Sequence, residues 1–146
     1  MWYHHLADDP ELYESKEPKE FKKVYEIRCV KRKEGGVIDE ILIETDKGTY
    51  KVISEYNIRY VLNQGGDVIR QDGSPYTSNA LLPSAYLIID VVKEDKNVIG
   101  YTIIGGGYGH GVGMSQNGAR AMGLAHEDCE SILSFYFQGS QLNKLY

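Results

Sequence analysis

Apolar and polar positions alternate along the middle of the chain, and turn residues punctuate the alternation. Val24-Tyr25-Glu26-Ile27-Arg28-Cys29-Val30 is rich in strand formers and runs into charges and Gly35-Gly36. Val37–Glu44 follows, then an Asp46-Lys47-Gly48 turn, then Thr49–Ile53. Such period-two runs, joined by glycine-bearing turns, predict an antiparallel meander. At Glu55–Leu62 the period changes. Ile58, Val61 and Leu62 fall at i, i+3 and i+4, the spacing of a short amphipathic helix, for which Ser54 is a candidate cap. Residues 63–83 are rich in Gly, Asp, Asn, Ser and Pro and read as a long loop, a length that in a compact domain usually serves function. Ala85–Val92 and Val98–Ile104 are two further apolar β-runs around the charged turn Lys93–Asn97. Ser115–Met122 and Glu127–Phe137 read as helices, with a break at Gly123 and a stop at Gly139. Residues 1–20 read as an irregular arm or a short turn of helix, and 21–146 as one domain. The order excludes a regular βαβ alternation and gives an α+β class: antiparallel strands, as a meander or closed barrel-like, with a short helix and two C-terminal helices.

Composition adds limits rather than a function. The chain has 146 residues, 42% apolar and 25% charged, enough for a real core in one domain. A net charge of −5 argues against nucleic acid as partner, because the phosphate backbone demands a basic surface. The one dense cationic stretch, Lys31–Lys33, is followed by Glu34 and reads as a solvated strand end or turn. No run approaches the roughly 20 apolar residues of a membrane span. The acidic N-terminus has no basic region ahead of an apolar stretch, so no secretory signal is expected here. Cys29 and Cys129 read as ordinary half-buried thiols, although a bridge in an oxidising space stays open. There is no CxxC and no HExxH, and the adjacent His4-His5 lacks the spacing of a metal site. No cofactor is implied, and metal use stays open.

The 16 glycines concentrate in one segment, where they recur at 105, 107, 109, 111 and 113. In an extended chain that period leaves one face without side chains, while Gly106, Tyr108, His110, Val112 and Met114 occupy the other. A bare backbone face admits something flat, either a ligand or a neighbouring strand or core residue. The segment fails the sixth position of GxGxxG, lacks the GK[ST] of a phosphate loop, and at Gly113-Met114-Ser115-Gln116-Asn117 lacks the final glycine of a serine-hydrolase elbow. Ser115 fits better as a helix cap. Ser115 and Gln116 at a helix start also offer N–H groups and side chains to sugar hydroxyls or an N-acetyl carbonyl.

Gly107-Tyr108-Gly109-His110-Gly111-Val112-Gly113-Met114-Ser115-Gln116-Asn117-Gly118-Ala119, followed by Met122-Gly123, Ile132-Leu133 and Tyr136-Phe137-Gln138-Gly139, resembles the signature of the sporulation stage II protein D family. Upstream, Asn57-Ile58-Arg59 and Leu82-Pro83-Ser84-Ala85-Tyr86 are similar to further elements of that family. The likeness covers about Val24–Tyr146. It implies a peptidoglycan lytic transglycosylase that cleaves the glycan between N-acetylmuramic acid and N-acetylglucosamine, in cell-wall remodelling or sporulation. It implies an extracytoplasmic place, in the envelope or the space around a forespore, with glycan strands as partner beside other cell-wall or sporulation proteins. It also implies a glutamate general acid in an "EMP"-like motif. This sequence has no such motif, and Glu55 is the one tempting substitute.

The expectation is therefore a glycan-holding part without the catalytic acid. Tyr108, His110, Ser115, Gln116 and Arg59, with the backbone of Gly107, Gly109 and Gly111, would line a sugar groove. Tyr86 would stack on a pyranose ring or serve as a core tyrosine. The alternatives are a non-catalytic carbohydrate-binding or scaffold module of the envelope, and an unrelated domain whose glycines serve packing alone.

Overall fold

The computed structural model describes residues 2–5, 13–15, 20–63, 67–76 and 81–143. The chain divides into two compact units, Met1–Gly111 and Val112–Tyr146. In the first unit the elements are β1 (Trp2–His5), β2 (Tyr13–Ser15), β3 (Val24–Arg32), β4 (Ile38–Thr45), β5 (Gly48–Ile53), α1 (Glu55–Leu62), β6 (Leu87–Glu94) and β7 (Asn97–Gly105). The second unit holds α2 (Gln116–Leu124) and α3 (Cys129–Tyr136). The fold is α+β. One antiparallel sheet runs in the order β2-β1-β5-β4-β3, and β6 pairs antiparallel with β7. Among the described residues these sheets stay open and no barrel closes.

The core follows from the position of β4. It lies between β3 and β5, so its edges are fully paired, and Ile38, Ile41, Leu42 and Ile43 are buried. β5 adds Tyr50 and Val52, and the helical stripe of α1 adds Ile58. Each such aliphatic side chain contributes about 1.5–3 kcal/mol by leaving water. The ends of β4 are pinned by polar contacts. Asp46 Oδ1 accepts from the backbone N–H of Lys22 at 2.9 Å and Lys23 at 3.1 Å, which fixes the entry to β3. Arg32 reaches from β3 to the carbonyls of Gly36 and Leu87, both at 2.8 Å, tying the β3–β4 turn to β6. Lys31 and Lys33 lie in surface ion pairs with Asp39 and Glu40, in keeping with a solvated strand end.

Several local expectations are corrected. Within the stretch read as an irregular arm, β1 and β2 form a strand pair that extends the sheet at β5; residues 6–12 and 16–19 of that arm lie outside the described residues. Alternation is too short there for a sequence pattern to register, and β5 supplies the template. Ser54 makes no side-chain cap to α1. Its backbone is left-handed at φ 76°, and its hydroxyl instead accepts from Asn57 Nδ2 at 2.9 Å. The helix break falls at His126, φ 66°, rather than at Gly123, which lies inside α2. Cys29 and Cys129 are both free and exposed rather than half-buried.

In the second unit the caps are local. Ser115 Oγ accepts from Gly118 N–H at 3.1 Å, and Asp128 Oδ1 accepts from Ser131 N–H at 2.7 Å. Gly118 lets α2 approach α3, since a Cβ there would collide with the Tyr136 hydroxyl. Neither helix contains a buried residue. No described helix is long and apolar enough to cross a membrane.

Candidate functional site

The Leu82–Tyr86 segment and the glycine segment are stitched together. Ser84 is buried. Its hydroxyl donates to the Gly106 carbonyl at 2.5 Å and accepts from Tyr86 N–H at 3.1 Å. Gly106 N–H donates to Tyr86 O, and Gly109 N–H to Pro83 O, both at 2.9 Å. These bonds begin where β7 ends, so the backbone of 106–111 has left the sheet but is still held against its neighbour.

That geometry changes the meaning of the glycine period. An extended strip with a bare face was expected, but only Gly105 lies in a strand. Gly107, Gly109, Gly111 and Gly113 all have positive φ, from 70° to 115°. Alternation of a left-handed glycine with an ordinary residue produces the same spacing as a one-sided strand, and the sequence alone does not separate the two. Gly111 has a second reason to be glycine, since a Cβ would strike Val37 Cγ2. Around Gly109 the space is open, and there φ alone requires it.

The segment is exposed. Tyr108 is 85% accessible, more than any other large apolar side chain among the described residues, and His110 is exposed as well. Gly107 and Tyr108 form one side of a cavity of about 530 Å³, together with Ser84, Tyr101, Arg70 and Tyr76. His110, Gly109 and Gly111 belong to the same unit but do not line that cavity. Ser115 and Gln116 belong to the second unit, where Ser115 caps α2. Tyr86 is 54% exposed, and its ring packs over Gly36, where a Cβ would collide with it.

Arg59 stands behind the wall rather than on it. Its Nε donates to Leu82 O at 2.8 Å and its Nη1 to Glu55 Oε2 at 3.0 Å, with both side chains largely buried. The pair fastens α1 to the Leu82 segment. It also engages Glu55, the one glutamate that had invited a catalytic reading.

Part of the long loop lies among the described residues. Residues 67–76 form a small hairpin: Arg70 N–H donates to Ser74 O, Gly73 N–H to Arg70 O, and Tyr76 N–H to Val68 O. Gly73 takes φ 82°, as the Asp72-Gly73 dipeptide allows. The Asp72 carboxylate accepts from the Ser74 hydroxyl at 2.6 Å and its N–H at 2.9 Å, and these two bonds lower its pKa. Arg70, Tyr76 and Tyr101 are cavity residues that the sequence reading did not single out. Asp72-Gly73 was the available signal for a turn, but nothing local said which side chains it would aim at the glycine segment. The Tyr101 hydroxyl is shielded from solvent and has no hydrogen-bond partner among the described residues. Burial, and then the charge of Glu26, raise its pKa. Among the described residues no group of three or more His, Cys, Asp or Glu side chains is placed to hold a metal ion.

A family model described as Domain of unknown function (DUF8618) matches residues 5–113, well over half of the chain. The chain belongs to the DUF8618 family. The match takes in the whole 67–76 hairpin, the Leu82–Tyr86 segment (a strap held to the glycines by Ser84) and the glycines through Gly113. A relative from Bacillus subtilis (strain 168), named amidase enhancer, is 53% identical over 51 residues, which are 35% of this chain and 7% of the relative. An uncharacterised protein of Brachyspira hyodysenteriae (strain ATCC 49526 / WA1) is 40% identical over 73 residues, 50% of this chain and 18% of the relative. The aligned stretches thus span less than a fifth of either relative. No solved structure matches the DUF8618 chain.

Proposed function

We propose that this chain is the glycan-holding part of a peptidoglycan-acting domain of the sporulation stage II protein D type. In the whole protein it would serve a lytic transglycosylase cutting between N-acetylmuramic acid and N-acetylglucosamine. The name of the amidase-enhancer relative supports a cell-wall-related role. The single observation that carries the glycan reading is Tyr108: an almost fully exposed aromatic ring held on a backbone segment stitched to the strap, at the edge of a cavity. A flat ring with a hydroxyl at its tip suits a pyranose, which presents an apolar C–H face and polar rim. His110, exposed two residues on, offers an imidazole to a sugar hydroxyl. The backbone of Gly107, Gly109 and Gly111 shapes the segment. Arg59 acts from behind, by holding the Leu82 wall. Ser115 and Gln116 are proposed to bind sugar from the start of α2.

Glu55 is locked to Arg59, and the carboxylate on the cavity wall is the exposed Asp67. The isolated chain is accordingly expected to bind glycan without releasing anhydro-muropeptides. Calorimetric titration with a chitin tetramer tests the site. Tyr108→Ala and His110→Ala should each weaken binding about tenfold, about 1.4 kcal/mol, with the melting temperature within a few degrees of wild type because both side chains are exposed. Wild-type affinity in a folded Tyr108→Ala variant would remove the glycan reading.

A further inference from the structure

The cavity beneath the 67–76 hairpin has a composition unlike an open sugar platform. Leu62, Val68, Leu82, Leu87 and Ile103 make much of its wall apolar, and Arg70 stands among them. The Arg70 guanidinium is already positioned. Its Nη1 donates to Ser74 Oγ at 3.2 Å and to Pro75 O at 3.0 Å, and its centre lies 5.3 Å from the Tyr76 ring centroid. Nε and Nη2 have no partner among the described residues. Those two N–H groups share one edge of the planar guanidinium and form the fork that a carboxylate accepts from in bidentate fashion. Because the fork is held in place beforehand, less side-chain freedom is lost on binding.

The neighbouring acids leave that edge open. Asp72 is turned onto Ser74, and no ion pair joins it to Arg70 among the described residues. Asp67 is on the cavity wall and makes no ion pair among the described residues. Asp67 opposes any anion alike, so the wall makes the distinction: a bare anion would meet apolar surface that offers it no hydration. A carboxylate carried on an apolar body satisfies both the fork and the wall. Tyr101 lines the same cavity, and its hydroxyl is shielded from solvent and has no partner among the described residues.

We propose that this cavity is a subsite for a carboxylate on a short N-acylated peptide branch, with the carboxylate on Arg70 Nε and Nη2 and the alkyl part against Leu62, Val68 and Leu82. The source of the branch rests on the glycan reading. On a peptidoglycan strand it is the lactyl-peptide stem of muramic acid, and Tyr108, which lines this cavity, marks where sugar and stem part. The other source of the same chemistry is a free acylated peptide.

The test is calorimetric titration of the full chain with four probes: an N-acetylmuramyl dipeptide ending in a free carboxylate, the same molecule amidated, the N-acetyl dipeptide without sugar, and the chitin tetramer. The free acid should bind about tenfold more tightly than the amide. Arg70→Gln should abolish that preference while leaving tetramer affinity unchanged, and Arg70→Lys, which keeps the charge but not the fork, should retain only part of it. Equal affinity for acid and amide, or an acid preference that survives in a folded Arg70→Gln variant, overturns the subsite. If the tetramer binds and the acid preference is absent, the subsite fails and the glycan reading stands. If the sugar-free dipeptide binds through Arg70 and the tetramer does not bind, the glycan reading fails and the subsite stands.

Discussion

β4 in the first unit buries Ile38, Ile41, Leu42, Ile43 and Thr45, whereas α2 and α3 in the second unit bury no residue at all. The strand has neighbours on both edges and a helix against it, so its stability is tertiary. The helices rest on local devices: a serine cap, an aspartate cap, a glycine that admits Tyr136 and an edge-on Phe135–Tyr136 contact at 5.0 Å. Loss of a contact should therefore be felt cooperatively in the first unit and within a turn or two in the second. The glycine segment through Gly111 shares features of both, with conformational demands as local as a cap but seated on Val37 of the core.

The largest effect is expected at Ile41, which is fully buried at the centre of the sheet. Ile41→Ala should cost about 2–5 kcal/mol, read as a shift of the urea midpoint of the β-sheet signal. A loss under about 1 kcal/mol would mean that β4 is not the organising strand.

Next comes a pair of substitutions in the glycine segment. Gly111→Ala meets both a left-handed φ of 70° and the Val37 side chain, and should cost about 2–4 kcal/mol. Gly109→Ala meets only φ 115° in open space and should cost less, about 1–2 kcal/mol. Equal costs would show that Val37 yields freely, and that conformation alone sets the pattern.

Ser115→Ala should remove about 1 kcal/mol from α2. Amide exchange of α2 would report the loss, while the urea midpoint of the sheet stays in place.

The smallest effect is a pH dependence of α3. Hydrogen bonds from the Ser131 N–H and hydroxyl hold the Asp128 carboxylate below its ordinary pKa of 3.8. The folded helix thus prefers the charged form. The cap contributes fully above pH 3.8, and its contribution is lost as pH falls through the lowered folded value. Helix content of α3 should fall with acid in wild type and be flatter in Asp128→Asn, followed by amide exchange across pH 2–5. An unchanged profile in that variant would place the cap's stabilisation elsewhere.

The strands from Val24 to Ile53, the α1 boundaries, the β6–β7 ribbon and both C-terminal helices could be read from the chain, because each carries its own period and its own turn residues. The α+β class followed from their order. The chain also determined that Ser115 caps a helix and that the glycine segment is special. Why it is special was decided in three dimensions: spacing alone cannot distinguish a bare strand face from alternating left-handed turns, whereas φ at Gly107 to Gly113 does. Arg59 and Arg70 make the same point with side chains. Both are arginines near loops, yet one is fastened to Glu55 and Leu82 behind a wall, and the other is exposed at a cavity with its Nη1 on Ser74 and Pro75. The Glu55–Arg59 pair is an i,i+4 contact that helix spacing already offers, but Leu82 O comes to Arg59 only through folding, and a linear pattern does not encode which distant carbonyl a guanidinium will find.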